Sequence, residues 1–270
     1  MNSLVCAIIP QMKYKIINNI NTPELAIYHH LRDNAFSADK SFIADSPKVV
    51  NMLLSCEIEI KSILATKEYY DEFSHLLESK KIENLFLTTK DEMKSIVGHK
   101  IHHNCMLHGI RPDETPLEEL GENILMLDAI SSSENVGSIA RSAAALGVNS
   151  FLLPRQAPHP YGRRALRVSM GYASKLKIHI YEDIRETIEV LRKNGYRVYA
   201  AEVTPDATPL LQVKSTQKWA LLMGHEGLGI SEEVLSLCDE VVSIEMAEGV
   251  KSFNVGVAAS IMMYQFLSKG

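Results

Sequence analysis

The chain is short of cysteine, has a single tryptophan and shows no excess of positive charge. Each shortage excludes something. The four cysteines, Cys6, Cys56, Cys105 and Cys238, are scattered and form no Cys-x-x-Cys pair, so no disulfide scaffold is encoded and the usage suits a reducing compartment. No stretch reaches the ~18 consecutive apolar residues that a membrane-crossing helix needs. The apolar run at 4–9 is too short for a secretory signal and no basic residue precedes it, which points to a cytoplasmic protein. At a net charge of −5 there is no bulk attraction for nucleic acid, so any such binding must come from a local patch. Internal repeats and low-complexity tracts are absent as well.

What is present is a soluble globular composition, 46% hydrophobic and 23% charged, over 270 residues, enough for one large domain or two ordinary ones. Residues 1–20 match no clear element and read as an arm or an extra strand. From residue 21 the pattern becomes regular. A helix is predicted at 23–31, a strand at 41–44, and a helix at 46–55 with Ser46 as N-cap and Pro47 at its first position. A strand at 60–65, a helix at 67–80, a strand at 84–88 and a short helix at 90–97 follow. These make a small α/β unit that ends near residue 112. The histidine-rich stretch 98–108 matches no zinc spacing, so no metal is expected, and it reads as a polar loop entering a strand at 105–108.

Residues 113–121, proline-bearing and acidic, have linker composition and set the domain boundary. Beyond them strands at 124–128, 150–153, 177–181, 197–203, 219–223 and 240–246 alternate with helices at 138–146, 162–170, 183–193, 231–237 and 254–268. Such alternation predicts an α/β domain, 122–270, with a mostly parallel sheet covered on both faces. The last helix is apolar on nearly every side, which requires burial in its own fold or against a partner subunit.

Three turns carry residues suited to chemistry. After the first strand of the second domain, Asn135 and Gly137 are expected in the turn, and Arg141 one helical turn inside a helix otherwise made of Ala, Ile, Leu and Ser. An Arg so placed either snorkels at the helix edge or grips a phosphate bidentately. The second turn, Gly224-His225-Glu226-Gly227-Leu228-Gly229, has glycines spaced as neither a dinucleotide fingerprint nor a P-loop, yet they let backbone approach a ligand closely. It holds Glu226, with Ser231 capping the next helix. The third is the loop at 247–254, with Ser252 and Asn254 at the entrance of the last helix; by itself it is simple capping. From 155 to 180 there are six basic residues (Arg155, Arg163, Arg164, Arg167, Lys175, Lys177) and no acidic one, a local patch suited to a phosphate backbone.

Taken in order, these turns resemble the motifs of the SpoU (TrmH-like) branch of the SPOUT superfamily, S-adenosylmethionine-dependent RNA 2′-O-ribose methyltransferases. Residues 135–141 resemble the first motif, 224–231 the second and 244–258 the third. The segment 163–171 is similar to the stretch after that family's second strand. More weakly, 42–50 and 98–112 resemble landmarks of an L30e-like RNA-binding domain. The resemblance implies a C-terminal trefoil knot, which periodicity cannot show, and a homodimer on whose interface the closing helix packs. It implies S-adenosyl-L-methionine as cofactor, held by Gly224, Ile244, Met246 and Phe253. Arg141, Asn135, Glu226, Ser252 and Asn254 are the implied catalytic group, with Arg155, Arg163, Arg164 and Arg167 on the RNA. No metal is implied. The substrate expected is structured RNA, rRNA ahead of tRNA, with a non-catalytic RNA-binding protein as the alternative. The chain departs from the family pattern where Glu245 stands for proline and Glu248 for glycine. Phe253 stands for leucine, Gly256 for serine, and His225 for asparagine, serine or alanine.

Overall fold

The computed structural model describes residues 13–17, 19–29, 39–98 and 102–268. The chain divides into two compact units, Met1–Arg111 and Pro112–Gly270. The first is built from β1 (Lys15–Ile16), α1 (Ala26–His29), β2 (Ser41–Asp45), α2 (Pro47–Leu54), β3 (Glu59–Ala65), α3 (Lys67–Leu77), β4 (Asn84–Leu87), α4 (Lys90–Val97) and β5 (Cys105–Ile110). Its sheet runs β1-β4-β3-β5-β2, parallel from β1 to β3 and antiparallel at β5. The strand at 15–16 falls within the stretch expected to be an arm or extra strand, while residues 1–12 and His99–Ile101 lie outside the described residues. Ser46 does not cap α2 as expected: its side chain makes no capping bond and its φ is 80°. A full capping box instead opens α4, where Thr89 and Glu92 satisfy each other's backbone N–H groups.

The second unit contains β6 (Asn123–Leu127), α5 (Ser133–Leu146), β7 (Ser150–Pro154), α6 (Arg163–Val168), β8 (Lys177–Tyr181), α7 (Ile184–Lys193), β9 (Arg197–Ala201), β10 (Thr208–Pro209), β11 (Trp219–Met223), α8 (Glu232–Leu235), β12 (Glu240–Ser243) and α9 (Val255–Ser268). Its sheet runs β10-β12-β9-β11-β6-β7-β8 and every pairing in it is parallel. Parallel strands inside a sheet are buried on both faces, and the central ones here are: all five residues of β7 and all five of β11 are buried. Because all strands point one way, the loops after β6, β9, β11 and β12 gather at one edge. Ligands of open α/β sheets are held at such an edge.

Several expectations need correction here. Helix α5 starts five residues earlier than expected, capped by Ser132, whose Oγ accepts from the Asn135 N–H at 3.3 Å. Asn135 and Gly137 therefore sit on the helix, not in a turn, and Glu134 joins Arg141 as a second charge on it. Strand β12 stops at Ser243, leaving Ile244 and Met246 in the loop. The supposed linker belongs to the second unit: Leu117 and Leu120 pack on its core, and the Thr115 N–H donates to the Ile178 carbonyl at 2.7 Å. Among the described residues no helix is long and apolar enough to cross a membrane.

Candidate functional site

At the sheet edge formed by β9, β11 and β12 lies a cavity of about 510 Å³. One wall is the loop 224–229, which leaves β11 and folds back so that His225 and Gly229 exchange backbone hydrogen bonds of 3.2 and 3.0 Å. A Cβ at Gly224 would lie 2.7 Å from the Gly229 carbonyl carbon and 2.5 Å from Ile230, so only glycine lets this loop close. The opposite wall is the loop after β12, with Ile244, Met246, Lys251, Ser252 and Phe253. Met223, Val242, Val255, Ala258 and Met262 supply an apolar floor. All four residues expected to hold a cofactor, Gly224, Ile244, Met246 and Phe253, are on this cavity, as are Glu226 and Ser252.

A hydrogen-bonded chain ties the three motif segments together. Asn135 on α5 donates through Nδ2 to Glu226 Oε1 at 2.8 Å and accepts through Oδ1 from Asn254 Nδ2 at 3.1 Å. Asn254 Oδ1 in turn accepts from the Gly256 N–H at 2.9 Å, so one side chain both caps α9 and joins the network. Burial acts to raise the Glu226 pKa, but hydrogen bonds from the Asn135 amide and from backbone N–H groups of Glu226, Ser131 and Ser132 outweigh it. The net shift is downward. Glu226 is therefore a carboxylate at neutral pH, although it is exposed and not enclosed in a tight dry turn.

Helix α5 reaches this position through small residues. A Cβ on Gly137 would meet the Ala165 carbonyl at 2.7 Å, so α6 crosses directly over it. On the α9 side Gly256 faces Ser138, and Ser260 Oγ donates to Ser142 Oγ at 2.8 Å. The expected phosphate-gripping residue, Arg141, is exposed on α5, pairs with nothing among the described residues, and is not on the cavity wall.

The basic patch is less uniformly positive in space than in sequence. Arg155 pairs with Glu182 and Arg164 with Glu134, acids from other elements. All four side chains are about half exposed or more, and ion pairs of that kind are worth at most about 1 kcal/mol. A phosphate can displace such partners at small cost. Arg163 and Arg167 stand one turn apart on α6, as expected. Among the described residues no cluster of three or more His, Cys, Asp or Glu has metal-binding geometry.

Reasoning from sequence missed Glu202 and Lys251. Glu202, just past β9, accepts from the Ile230 N–H at 2.8 Å and the Val203 N–H at 2.9 Å, and so anchors the far end of the 224–229 loop. The available signal was its place directly after a strand that ends at the ligand edge.

The model of the SpoU rRNA methylase family matches residues 122–264 of this chain. The chain belongs to that family. A protein of Staphylococcus aureus (strain COL) named for the TrmH family of tRNA/rRNA methyltransferases is 32% identical to this chain over 146 residues. That match spans 54% of this chain and 58% of the relative, so this chain spans little more than half the length of the curated relatives it matches. Among solved structures, an rRNA methyltransferase of Sinorhizobium meliloti with AdoMet bound superposes with a TM-score of 0.80 at 19% identity, over 94% of this chain and 98% of that one. An RNA 2′-O ribose methyltransferase superposes with a TM-score of 0.76 at 20% identity, over 94% and 99%. At such identities the likeness establishes fold: this SpoU-family chain has the α/β architecture of SPOUT methyltransferase structures.

Proposed function

We propose that the protein transfers a methyl group from S-adenosyl-L-methionine to a ribose 2′-hydroxyl of structured RNA, with rRNA favoured over tRNA. The observation that carries this reading is the Glu226–Asn135–Asn254 chain at the mouth of the cavity, which locks three segments of the family match around one space. The cavity fits the cofactor. Its volume of about 510 Å³ lies within the roughly 300–1,000 Å³ of small-molecule sites, and its floor is apolar. Gly224 lets the 224–229 loop close against Ile230 and so shapes this wall, and Ile244 and Phe253 present main-chain groups outside any strand or helix. These three and Met246 would hold the adenosyl part.

When bound, S-adenosylmethionine supplies an electrophilic methyl group on a sulfonium, so no metal is needed. The chain's own residues position the acceptor. A guanidinium offers a planar fork of N–H donors and no acceptor, which suits Arg141 to holding the target phosphate and hydroxyl in line. Asn135 is held between Glu226 and Asn254, which fixes the direction of its amide; Ser252 stands on the same rim. Arg155, Arg163, Arg164 and Arg167 would contact the RNA backbone, sequence-independently.

Further parts of the reading concern assembly. Val257, Ile261 and Tyr264 form an exposed apolar stripe on α9 at 47, 38 and 65% exposure, spaced to share one face. We assign that stripe to a homodimer interface. The segment from β12 through α9 is proposed to thread a trefoil knot, the first unit to act as an L30e-like RNA-binding module, and the protein to work in the cytoplasm. The relative's name covers both tRNA and rRNA; the description of the matched family as rRNA methylases supports the rRNA preference.

Calorimetric titration with S-adenosylhomocysteine tests the cofactor reading: saturable heat with one site per chain is expected, and a flat titration would favour a pure RNA binder.

A further inference from the structure

We infer that His225 is a positioning residue: its neutral ring holds the 225–229 turn shut and thereby keeps the Gly224 wall of the cavity in its binding form. The His225 Nδ1 lies 2.9 Å from the Gly227 backbone nitrogen and 3.1 Å from that of Leu228, and both N–H groups donate to it. One ring nitrogen accepting two N–H bonds must carry its lone pair, so the proton of the neutral ring is on Nε2. A protonated ring carries hydrogen on Nδ1 as well and turns both contacts into donor-against-donor.

Besides the ring, the turn is tied by the His225–Gly229 backbone pair, by Asn135 on Glu226 and by Glu202 on the Ile230 N–H, but none of these reaches the Gly227 and Leu228 N–H groups, and Glu226, Gly227 and Leu228 are exposed. Leu228 is 86% exposed, so burial adds little to hold it. The same loop carries Glu226, which ends the Asn135 network, and adjoins Gly224 on the cavity wall. A turn released at residue 227 would move both. The charged groups on the surrounding walls are Glu226 on the loop, Glu202 after β9 and Lys251 before α9. Of these, Glu226 is held below the ordinary carboxylate range and keeps its charge throughout the titration of an imidazole.

The sign follows. The closed turn needs the Nδ1 lone pair, so it is present while Nδ1 bears no proton and is lost when Nδ1 takes one. An asparagine at this position would offer a side-chain oxygen to the same two N–H groups and does not titrate. Histidine at 225 thus makes the turn, and the affinity of the cavity, proton-dependent in this chain. The affinity half of this inference rests on the methyl-donor reading; the turn half does not.

The test uses nitrogen-15-labelled full-length protein between about pH 5.5 and pH 8.5, where imidazoles titrate. The Gly227 and Leu228 amide signals should shift with one midpoint, shared with the His225 ring, and the ring should show the Nε2–H tautomer at high pH. In His225→Asn both amides should stay where wild type has them at high pH, across the whole range. Amides that do not follow the ring, or an Nδ1–H tautomer, would overturn the inference. In parallel, wild-type affinity for S-adenosylhomocysteine should fall below the midpoint by up to about tenfold per pH unit, while His225→Asn shows no such limb. An acid limb retained in His225→Asn overturns the affinity half. A protein that binds no S-adenosylhomocysteine at any pH contradicts the methyl-donor reading, while the amide titration still decides the turn.

Discussion

Asn135 works as a polarity relay. Glu226 is ionised and only accepts, so Asn135 must present Nδ2 to it and Oδ1 to Asn254, which must then answer with its own Nδ2. Substituting Asp at 254 keeps an oxygen for the Gly256 N–H but removes that donor. Asn254→Asp should therefore hold its melting temperature close to wild type, because the cap survives, while methyl transfer falls steeply. Asn254→Ala loses both, and the missing cap alone should cost about 1 kcal/mol of stability. Thermal melts beside transfer assays separate the two. Glu226 adds a pH signature. Its folded pKa is depressed, so its contribution to stability is present above the ordinary glutamate value and fades as pH falls through the depressed one. The stability gap between wild type and Glu226→Gln should accordingly close in acid. A gap that stays constant with pH would mean the carboxylate charge is not what the network stabilises.

At the scale of elements, α5 is positioned by what it lacks. Ala is preferred over Gly inside a helix by about 1 kcal/mol, yet at 137 a methyl would press on the backbone of α6 at 2.7 Å. Overpacking of that kind typically costs about 1–3 kcal/mol and outweighs the propensity gain. Gly137→Ala should lower the melting temperature by a few degrees, at about 2–4 °C per kcal/mol for a unit of this size. A raised melting temperature would show that α6 yields. The same glycine explains why the start of α5 was misread. Three consecutive serines at 131–133 are all good N-cap types, and Gly137 looks like a breaker, so local pattern favours a later start. The end of β12 failed for a different reason. Apolar residues continue to Met246, but β12 pairs with β9 only as far as Val242 opposite Ala201, and the strand stops one residue later for want of a partner. The alternation of strands and helices was legible because burial on both faces writes continuous apolar runs. The Glu202 anchor was not, because a carboxylate after a strand looks the same whether it meets solvent or two N–H groups.

For the whole molecule, the all-round apolar composition of α9 was readable, and the structure resolves it into two faces. Val255, Ala259, Met262, Met263 and Phe266 go inward, while Val257, Ile261 and Tyr264 are left at the surface. Ile261→Asp should convert a dimer into a monomer by light scattering with little loss of melting temperature for the single chain; a wild type that is monomeric at micromolar concentration would contradict the assignment. The association of sequence segments far apart, Asn135 with Asn254 above all, could be anticipated only through resemblance, since no spacing rule spans 119 positions. The most direct test of the central claim is transfer itself. The protein is incubated with methyl-labelled S-adenosylmethionine and rRNA lacking its ribose methyls, and the product is hydrolysed in alkali. A methylated 2′-oxygen cannot attack the neighbouring phosphate, so the account predicts label in alkali-resistant dinucleotides, lost in Arg141→Ala. Label found only on bases, or none incorporated into rRNA or tRNA, would contradict it.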